Sequence, residues 1–280
     1  MYEVIFLWAL TLGYLLFAVI QDLKTREIAN WLNFSLIVFA LGFRFLYSLF
    51  NGNFSFFYNG LIGFGIFLIL GNLFYYSRIF AGGDAKLMIS LGAILPLSVG
   101  FLENIFIFLN FILIFLFTGF IYILITSTFL CIKHFKSFKK EFSRQFKAKK
   151  KLLLIVTSIS ILFLFAGFFE SLFFILGILT FSSSYLYLYS KSIDEVCMVK
   201  EISSIHLREG DWLYQNLKIG KNIIKAKWDG LTLKEIKEIA KKYKKVKIRQ
   251  GIPFSPVFLI SFIIFIIFSL LNIKLWDSFW

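Results

Sequence analysis

Seventeen consecutive uncharged residues, positions 4–20, stand near the start of the chain, and runs of similar length recur to its far end. An α-helix needs about 17 to 25 mainly apolar residues to cross the hydrocarbon core of a bilayer. Positions 31–50 are broken only by Arg44, positions 54–77 are clean, and positions 87–102 reach spanning length when extended back to Asp84. Positions 104–132 suit a tilted helix. Positions 152–190 hold one charge, Glu170, in 39 residues. At about 1.5 Å per residue a single helix of that length would be nearly twice the hydrocarbon thickness, so the stretch reads as a hairpin of two spans turning near 167–171. The last run, 250–273, opens with Pro253 and Pro256, which suit the start of a helix. The first run follows Glu3 and ends in Gln21-Asp22; it lacks a basic flank and a small-residue cleavage site, and reads as a retained span. With 59% hydrophobic residues and 39 Phe, the chain has more apolar surface than a soluble domain covers.

Basic residues test the number of spans independently, because Lys and Arg accumulate on the cytoplasmic side. The connections 22–26, 78–86, 133–151 and 191–249 carry them; the connections 51–53, 96–103 and 167–171 carry none. Eight spans place every basic connection on one side, whereas six or seven are the alternatives. The expected fold is therefore a membrane all-α bundle of about eight transmembrane helices, with a small cytosolic α+β domain inserted before the last helix. Its parts are helices 1–5 over 1–130, a basic cytosolic loop over 131–151, a transmembrane hairpin over 152–190, the small domain over 191–249, and a last helix with a short tail over 250–280. In the small domain, Thr232-Leu233-Lys234-Glu235 fits a capping box, Leu233, Ile236, Ile239, Ala240 and Tyr243 share one apolar face, positions 219–228 and 246–249 look strand-like, and Asp229-Gly230 marks a turn. The net charge of +14 sits mostly in 133–151 and 191–249, where an anionic cytoplasmic leaflet attracts it. Anionic membrane lipids are thus the expected partner of this charge and nucleic acid is not, since no nucleic-acid motif accompanies it. Cys131 and Cys197 are far apart in sequence and fit neither a disulfide framework nor a metal site.

Only seven acids precede position 190: Glu3, Asp22, Glu27, Asp84, Glu103, Glu141 and Glu170. Ionisable groups at a membrane boundary are functional candidates, and only Asp22 and Glu27 share the expected face of Asp84. Asp22 closes the first span; Asp84 opens the fourth, after Ala81-Gly82-Gly83, where two glycines are expected to bend the chain. Two carboxylates sharing a proton supply a base to activate water and an acid to protonate a carbonyl or leaving amine. Helix dipoles suggest the division of roles: Asp22, at a C-terminus, as the initial acid and Asp84, at an N-terminus, as the initial base.

The segment Asp22-Leu-Lys-Thr-Arg-Glu-Ile-Ala-Asn30, followed by Gly82-Gly83-Asp84-Ala85-Lys86-Leu87, resembles the type IV prepilin peptidase family of GxGD-type membrane aspartyl proteases. The archaeal branch with the preflagellin peptidases is most similar, and Arg249-Gln-Gly-Ile-Pro-Phe-Ser-Pro256 also resembles that branch. The resemblance covers about 1–100 and 190–270. It implies that Asp22 and Asp84 are the catalytic pair, with no cofactor and no metal. The implied substrate is a pilin-like precursor, prepilin or preflagellin, whose short basic leader is cut from its apolar helix at the cytoplasmic face of the cell membrane. Two departures stand out: the first glycine of GxGD is Ala81, which adopts positive φ less freely, and the Ile-Pro-Asn of many members is Ile28-Ala29-Asn30. The cysteine tetrad of bacterial members that also N-methylate is absent, so cleavage without methyl transfer is expected.

Other residues have plainer readings. Glu27 is a candidate for supplementing the site but fits better as a boundary acid beside Lys24 or Arg26. Lys86 is a second such candidate but fits better snorkelling to the interface. Arg44 either snorkels outward or pairs inside the bundle. His134 and His206 are solitary, and Gly60, Gly63, Gly65 and Gly71 read as close helix-packing positions. Two rival functions use the same features: a proton-coupled transporter relaying protons through both aspartates, and a non-catalytic membrane scaffold. The transporter is weakened because both acids lie at one boundary and no inverted repeat is evident; the scaffold leaves the two aspartates unexplained.

Overall fold

The computed structural model describes residues 2–98, 100–219, 222–271 and 273. Its elements, in order, are α1 (Tyr2–Thr25), α2 (Asn30–Asn51), α3 (Ser55–Tyr76), α4 (Gly82–Gly92), α5 (Phe101–Lys133), α6 (Phe135–Ala148), α7 (Lys150–Ala166), α8 (Ser171–Cys197), β1 (Val199–Ser203), β2 (Trp212–Leu213), β3 (Leu217–Ile219), β4 (Asn222–Ile224), α9 (Leu233–Lys242), β5 (Lys245–Arg249) and α10 (Ser255–Leu270). Among the described residues five helices, α1, α2, α3, α5 and α8, are long and apolar enough to cross a membrane. The chain is a helical, multi-pass membrane protein with a small sheet region. It divides into two compact units, Met1–Ile123 with Pro253–Trp280, and Leu124–Ile252.

The first unit holds α1 to α4, the N-terminal part of α5, and α10. Its core is an apolar cluster with Leu7, Leu15, Leu36, Phe67, Leu91, Phe111 and Phe262 at its centre. The fourth span expected from the sequence is not a spanning helix. α4 has 11 residues, about 16 Å of rise against a hydrocarbon core of about 30 Å. Beyond Gly92 the chain continues irregularly and buried through Pro96, because a proline disfavours helix in the residue before it and removes an N–H. Irregular backbone at this depth requires that its polar groups be satisfied by protein. Arg44, fully buried, does this from α2. Its Nε donates to Ala93 O at 2.8 Å, one terminal nitrogen donates to Ile94 O at 2.9 Å and Pro96 O at 2.6 Å, and the other donates to Phe56 O at 2.9 Å. The guanidinium also lies 4.2 Å from the centre of the Phe56 ring. Asn59 Nδ2 donates to Ser98 O at 3.1 Å, and the side chain of Asn104 pairs with both Ser98 N and Ser98 O. Of the two alternatives for Arg44, pairing inside the bundle is the one realised.

Small residues let α3 meet α4. A Cβ on Gly63 would collide with the Gly92 carbonyl and Pro96, and one on Gly71 would stand 2.6 Å from Ile89 and 2.9 Å from Ala85 O. Gly60 abuts the Arg44 side chain, whereas Gly65 faces open space and has no such role.

In the second unit, residues 167–170 turn between α7 and α8, as the hairpin reading expects. The segment expected as a basic loop is instead a helix, α6, whose Phe138, Glu141, Phe142 and Gln145 are half-buried at helical spacing; the Phe138 ring sits 5.7 Å from that of Tyr189 on α8. Residues 191–197 continue α8, so the sheet region starts after them. There β5 lies between β1 and β2 in an antiparallel sheet, and β3 pairs antiparallel with β4. The core comprises Leu207, Leu213, Ile224, Leu231, Ile239, Val246 and Ile248. The capping box forms, with Thr232 and Glu235 bonded reciprocally. Leu233 is exposed, because it is the first residue of α9 and lies off the buried face. Of the strand-like stretch 219–228, only its start and 222–224 are strand, and Gly220 and Lys221 lie outside the described residues, as does the tail over 274–280. Arg249 ties β5 to the end of α8 through Asp194 at 2.6 Å and Glu195 at 2.9 Å, and Tyr214 donates to Glu195 at 2.8 Å. Cys197 Sγ points to Leu130 O at 3.7 Å, which brings the end of α8 beside the end of α5; Cys131 and Cys197 are both free thiols.

Candidate active site

Asp22 lies one turn inside the C-terminus of α1 and is 8% exposed. Its Oδ2 accepts the backbone N–H of Ser255 at 3.2 Å, and Ser255 is the first helical residue of α10. This contact joins positions 233 residues apart. It also alters the dipole argument. The N-terminus of α10 stands at Asp22 as the N-terminus of α4 stands at Asp84, so helix dipoles no longer separate the two roles.

Asp84 is the third helical residue of α4, where its carboxylate meets the Ala81 N–H. It is half-buried, and the Asp22 charge acts on it. The glycines before it do not bend the chain through left-handed conformations. Ala81 is extended at φ −71°, ψ 163°, and neither Gly82 nor Gly83 has positive φ. Alanine in place of the first GxGD glycine is therefore unstrained. Gly83 is needed for approach instead, since a Cβ there would lie 3.3 Å from Ile28. That contact brings the 81–87 stretch against the 22–30 stretch. Lys86 adds a second link, donating from Nζ to Asn30 Oδ1 at 2.6 Å. The connection between α1 and α2 is itself fixed by the Ala29 N–H bonded to Gln21 Oε1 at 3.1 Å. Glu27 is exposed, and its carbonyl accepts from Thr25.

Four aromatic rings floor the site. Phe80, just ahead of the glycines, packs within 6.0 Å of Phe115, Phe254 and Phe258, and Phe254 immediately precedes Ser255. Tyr122 on α5 donates to Pro253 O at 3.0 Å and lies within the electrostatic reach of Asp22 and Arg26. The sequence reading passed over Asn30, Tyr122 and Ser255 as site residues. Asn30 and Ser255 lie inside the quoted motifs, so their positions were available as a signal; Tyr122 had none. Among the described residues no group of three or more His, Cys, Asp and Glu is placed to hold a metal ion.

A helical membrane unit that brings two boundary aspartates into electrostatic contact, one after a pair of glycines, sits in a stretch with clear relatives. Residues 9–130 match the model of the type IV leader peptidase family. The chain is similar to three preflagellin peptidases. It is 38% identical to that of Methanococcus maripaludis over 29% of this chain and 35% of the relative. It is 36% identical to that of Methanococcus voltae over 32% and 38%, and 33% identical to that of Methanocaldococcus jannaschii over 29% and 35%. The matches thus span little more than a third of the length of these curated relatives. No solved structure matches the chain significantly.

Proposed function

We propose that the protein is a membrane aspartyl endopeptidase that removes the short basic leader from pilin-like precursors, prepilin or preflagellin, at the cytoplasmic face of the cell membrane. The observation that carries this reading is the meeting of Asp22 and Asp84, each at a helix N-terminus, within the family-matched stretch. Like charges in such proximity disfavour double ionisation, so the pair holds one proton between them and titrates as a unit. The ionised member takes a proton from water as the water attacks the scissile carbonyl carbon. The protonated member donates to the carbonyl oxygen; then, as the C–N bond breaks, the proton taken from water passes to the leaving amine and a hydroxyl of the tetrahedral diol returns a proton to the other carboxylate. No group beyond water and the two carboxyls is consumed. The pilin-like substrate is taken from the names of the relatives, and a scissile bond at the top of an apolar helix suits a carboxylate pair at the lipid boundary. The basic face of α6 and the small domain would lie against anionic lipids on the same side. Cleavage proceeds on this reading without N-methylation.

The test is incubation of purified protein with leader-bearing precursors, comparing wild type with Asp22→Asn and Asp84→Asn at matched expression. Each variant is expected to lose cleavage by at least about a thousandfold, since both groups act in one step. Wild-type cleavage by either variant removes the dyad.

A further inference from the structure

Ser255 is fully buried, and its hydroxyl has no hydrogen-bond partner among the described residues. A hydroxyl buried in that way is penalised, while alanine would fill nearly the same space without the penalty. Ser261, on the same helix, is also fully buried and unpartnered, but it lies nearly two turns further along α10. What distinguishes Ser255 is its amide, which already holds Asp22 Oδ2. Its hydroxyl is thus carried on the residue that binds the carboxylate, one rotatable bond from the backbone. The segment leading into it is fixed by Tyr122 on Pro253 and by the Phe80–Phe254–Phe258 rings.

We propose that Ser255 is a positioning residue for Asp22, its hydroxyl acting as a second donor to that carboxylate, beside its own amide, when the pair takes up a peptide. The proposal rests on the aspartyl peptidase reading above. Two donors on one residue orient the carboxylate and favour its charged form, leaving the other oxygen for the proton shared with Asp84. The surroundings of Asp22 supply few other causes for a pH effect. Asp84 on α4 and Tyr122 on α5 act on it, and Lys24 and Arg26 follow it in sequence. α10 carries no charged side chain, and the titratable groups of α2, Arg44 and Tyr47, lie in its second half.

The full-length protein is compared with Ser255→Ala and Ser261→Ala by cleavage kinetics across pH and by thermal unfolding. A third measurement follows the pH dependence of esterification of Asp22 and Asp84 by a diazo ester, read by peptide mass spectrometry. Losing a donor to the anion raises the acidity midpoint of the pair, so Ser255→Ala is expected to move the acid limb of kcat about one unit to higher pH. That corresponds to about a tenfold loss on that limb, with KM unchanged and thermal stability unchanged or raised. The esterification midpoint shifts the same way, and Ser261→Ala does neither. Wild-type kcat and a wild-type esterification midpoint in Ser255→Ala overturn the proposal. A shifted esterification midpoint in a protein that cleaves no precursor supports the Ser255 bond and overturns only the peptidase reading.

Discussion

The Arg44 guanidinium donates four hydrogen bonds to backbone carbonyls, three in the irregular segment after α4 and one, Phe56 O, in the first turn of α3. Arg44→Met leaves those acceptors buried and unpaired, at about 1 to 3 kcal/mol for each that finds no substitute. We expect a loss on the order of 3 kcal/mol or more, measured by thermal unfolding in detergent. Arg44→Lys is expected to recover only part of it, because one ammonium cannot reproduce the planar fork. Lys86 and Asn30 make a second residue-scale test. If their bond couples the two motif stretches, Lys86→Met and Asn30→Ala should each lower cleavage, and the double variant should fall short of additivity by about 1 kcal/mol in kcat/KM. Additive losses would show that the two side chains act separately. Sequence made Asp22 and Asp84 legible because they are two of only seven acids before position 190 and stand at the ends of uncharged runs. Arg44 stood out as the one charge within positions 31–50, but its partners are carbonyls, which every residue has, so no pattern of side chains could name them. The Asp22–Ser255 bond was hidden differently: a backbone amide far along the chain acts as donor, and only the tertiary fold brings it near.

Helix pairing depends on where glycine is present, and α3 offers an internal control. Gly63→Leu drives a side chain into the Gly92 carbonyl and Pro96, with an expected cost of about 1 to 3 kcal/mol and a displaced α4. Gly65→Ala meets nothing within 4 Å and is expected to stabilise by a few tenths up to about 1 kcal/mol, through helix propensity alone. Unfolding midpoints of the two variants should move in opposite directions. The capping box gives a pH-dependent case. The Lys227 ammonium, then the Thr232 backbone N–H, hold the Glu235 carboxyl below its usual range. A carboxyl pKa depressed by folding contributes stability that is present above the unfolded value, about 4.3, and lost as pH falls through the folded value. Amide exchange in α9 should therefore quicken as pH drops below about 4 relative to a Glu235→Gln variant. Thr232→Ala should cost about 1 kcal/mol at neutral pH. The capping box could be read directly because its two partners are three residues apart and chemically specific. The end of α4 could not be read from hydrophobicity, since the apolar run continues to position 102. Pro96 is the signal of that end, since a proline disfavours helix in the residue before it. The amphipathic α6 was missed because its nine basic neighbours mark a connection by charge, while Phe138 and Phe142 mark a helix by spacing.

Across the whole chain, sidedness follows from the order of the segments and the placement of charge. Each crossing reverses the side of the next connection, and the connections with Lys and Arg alternate with ones that have none. α4 is too short to cross as a helix, so the side on which α5 begins depends on the irregular segment after it, which is buried through Pro96. The turn at 167–170 between α7 and α8 holds Glu170 and no Lys or Arg, whereas the segments before α7 and after α8 are rich in them. With Cys131 and Cys197 replaced by serine, single cysteines at the exposed positions Ser137 and Lys234 are expected to resist a membrane-impermeant maleimide in intact cells. Those at Asn51 and Ser171 should react. Labelling at Ser171 that matched Ser137 would mean that 152–190 does not cross twice. The largest basic segment would then face outward, against the attraction of Lys and Arg for the cytoplasmic leaflet.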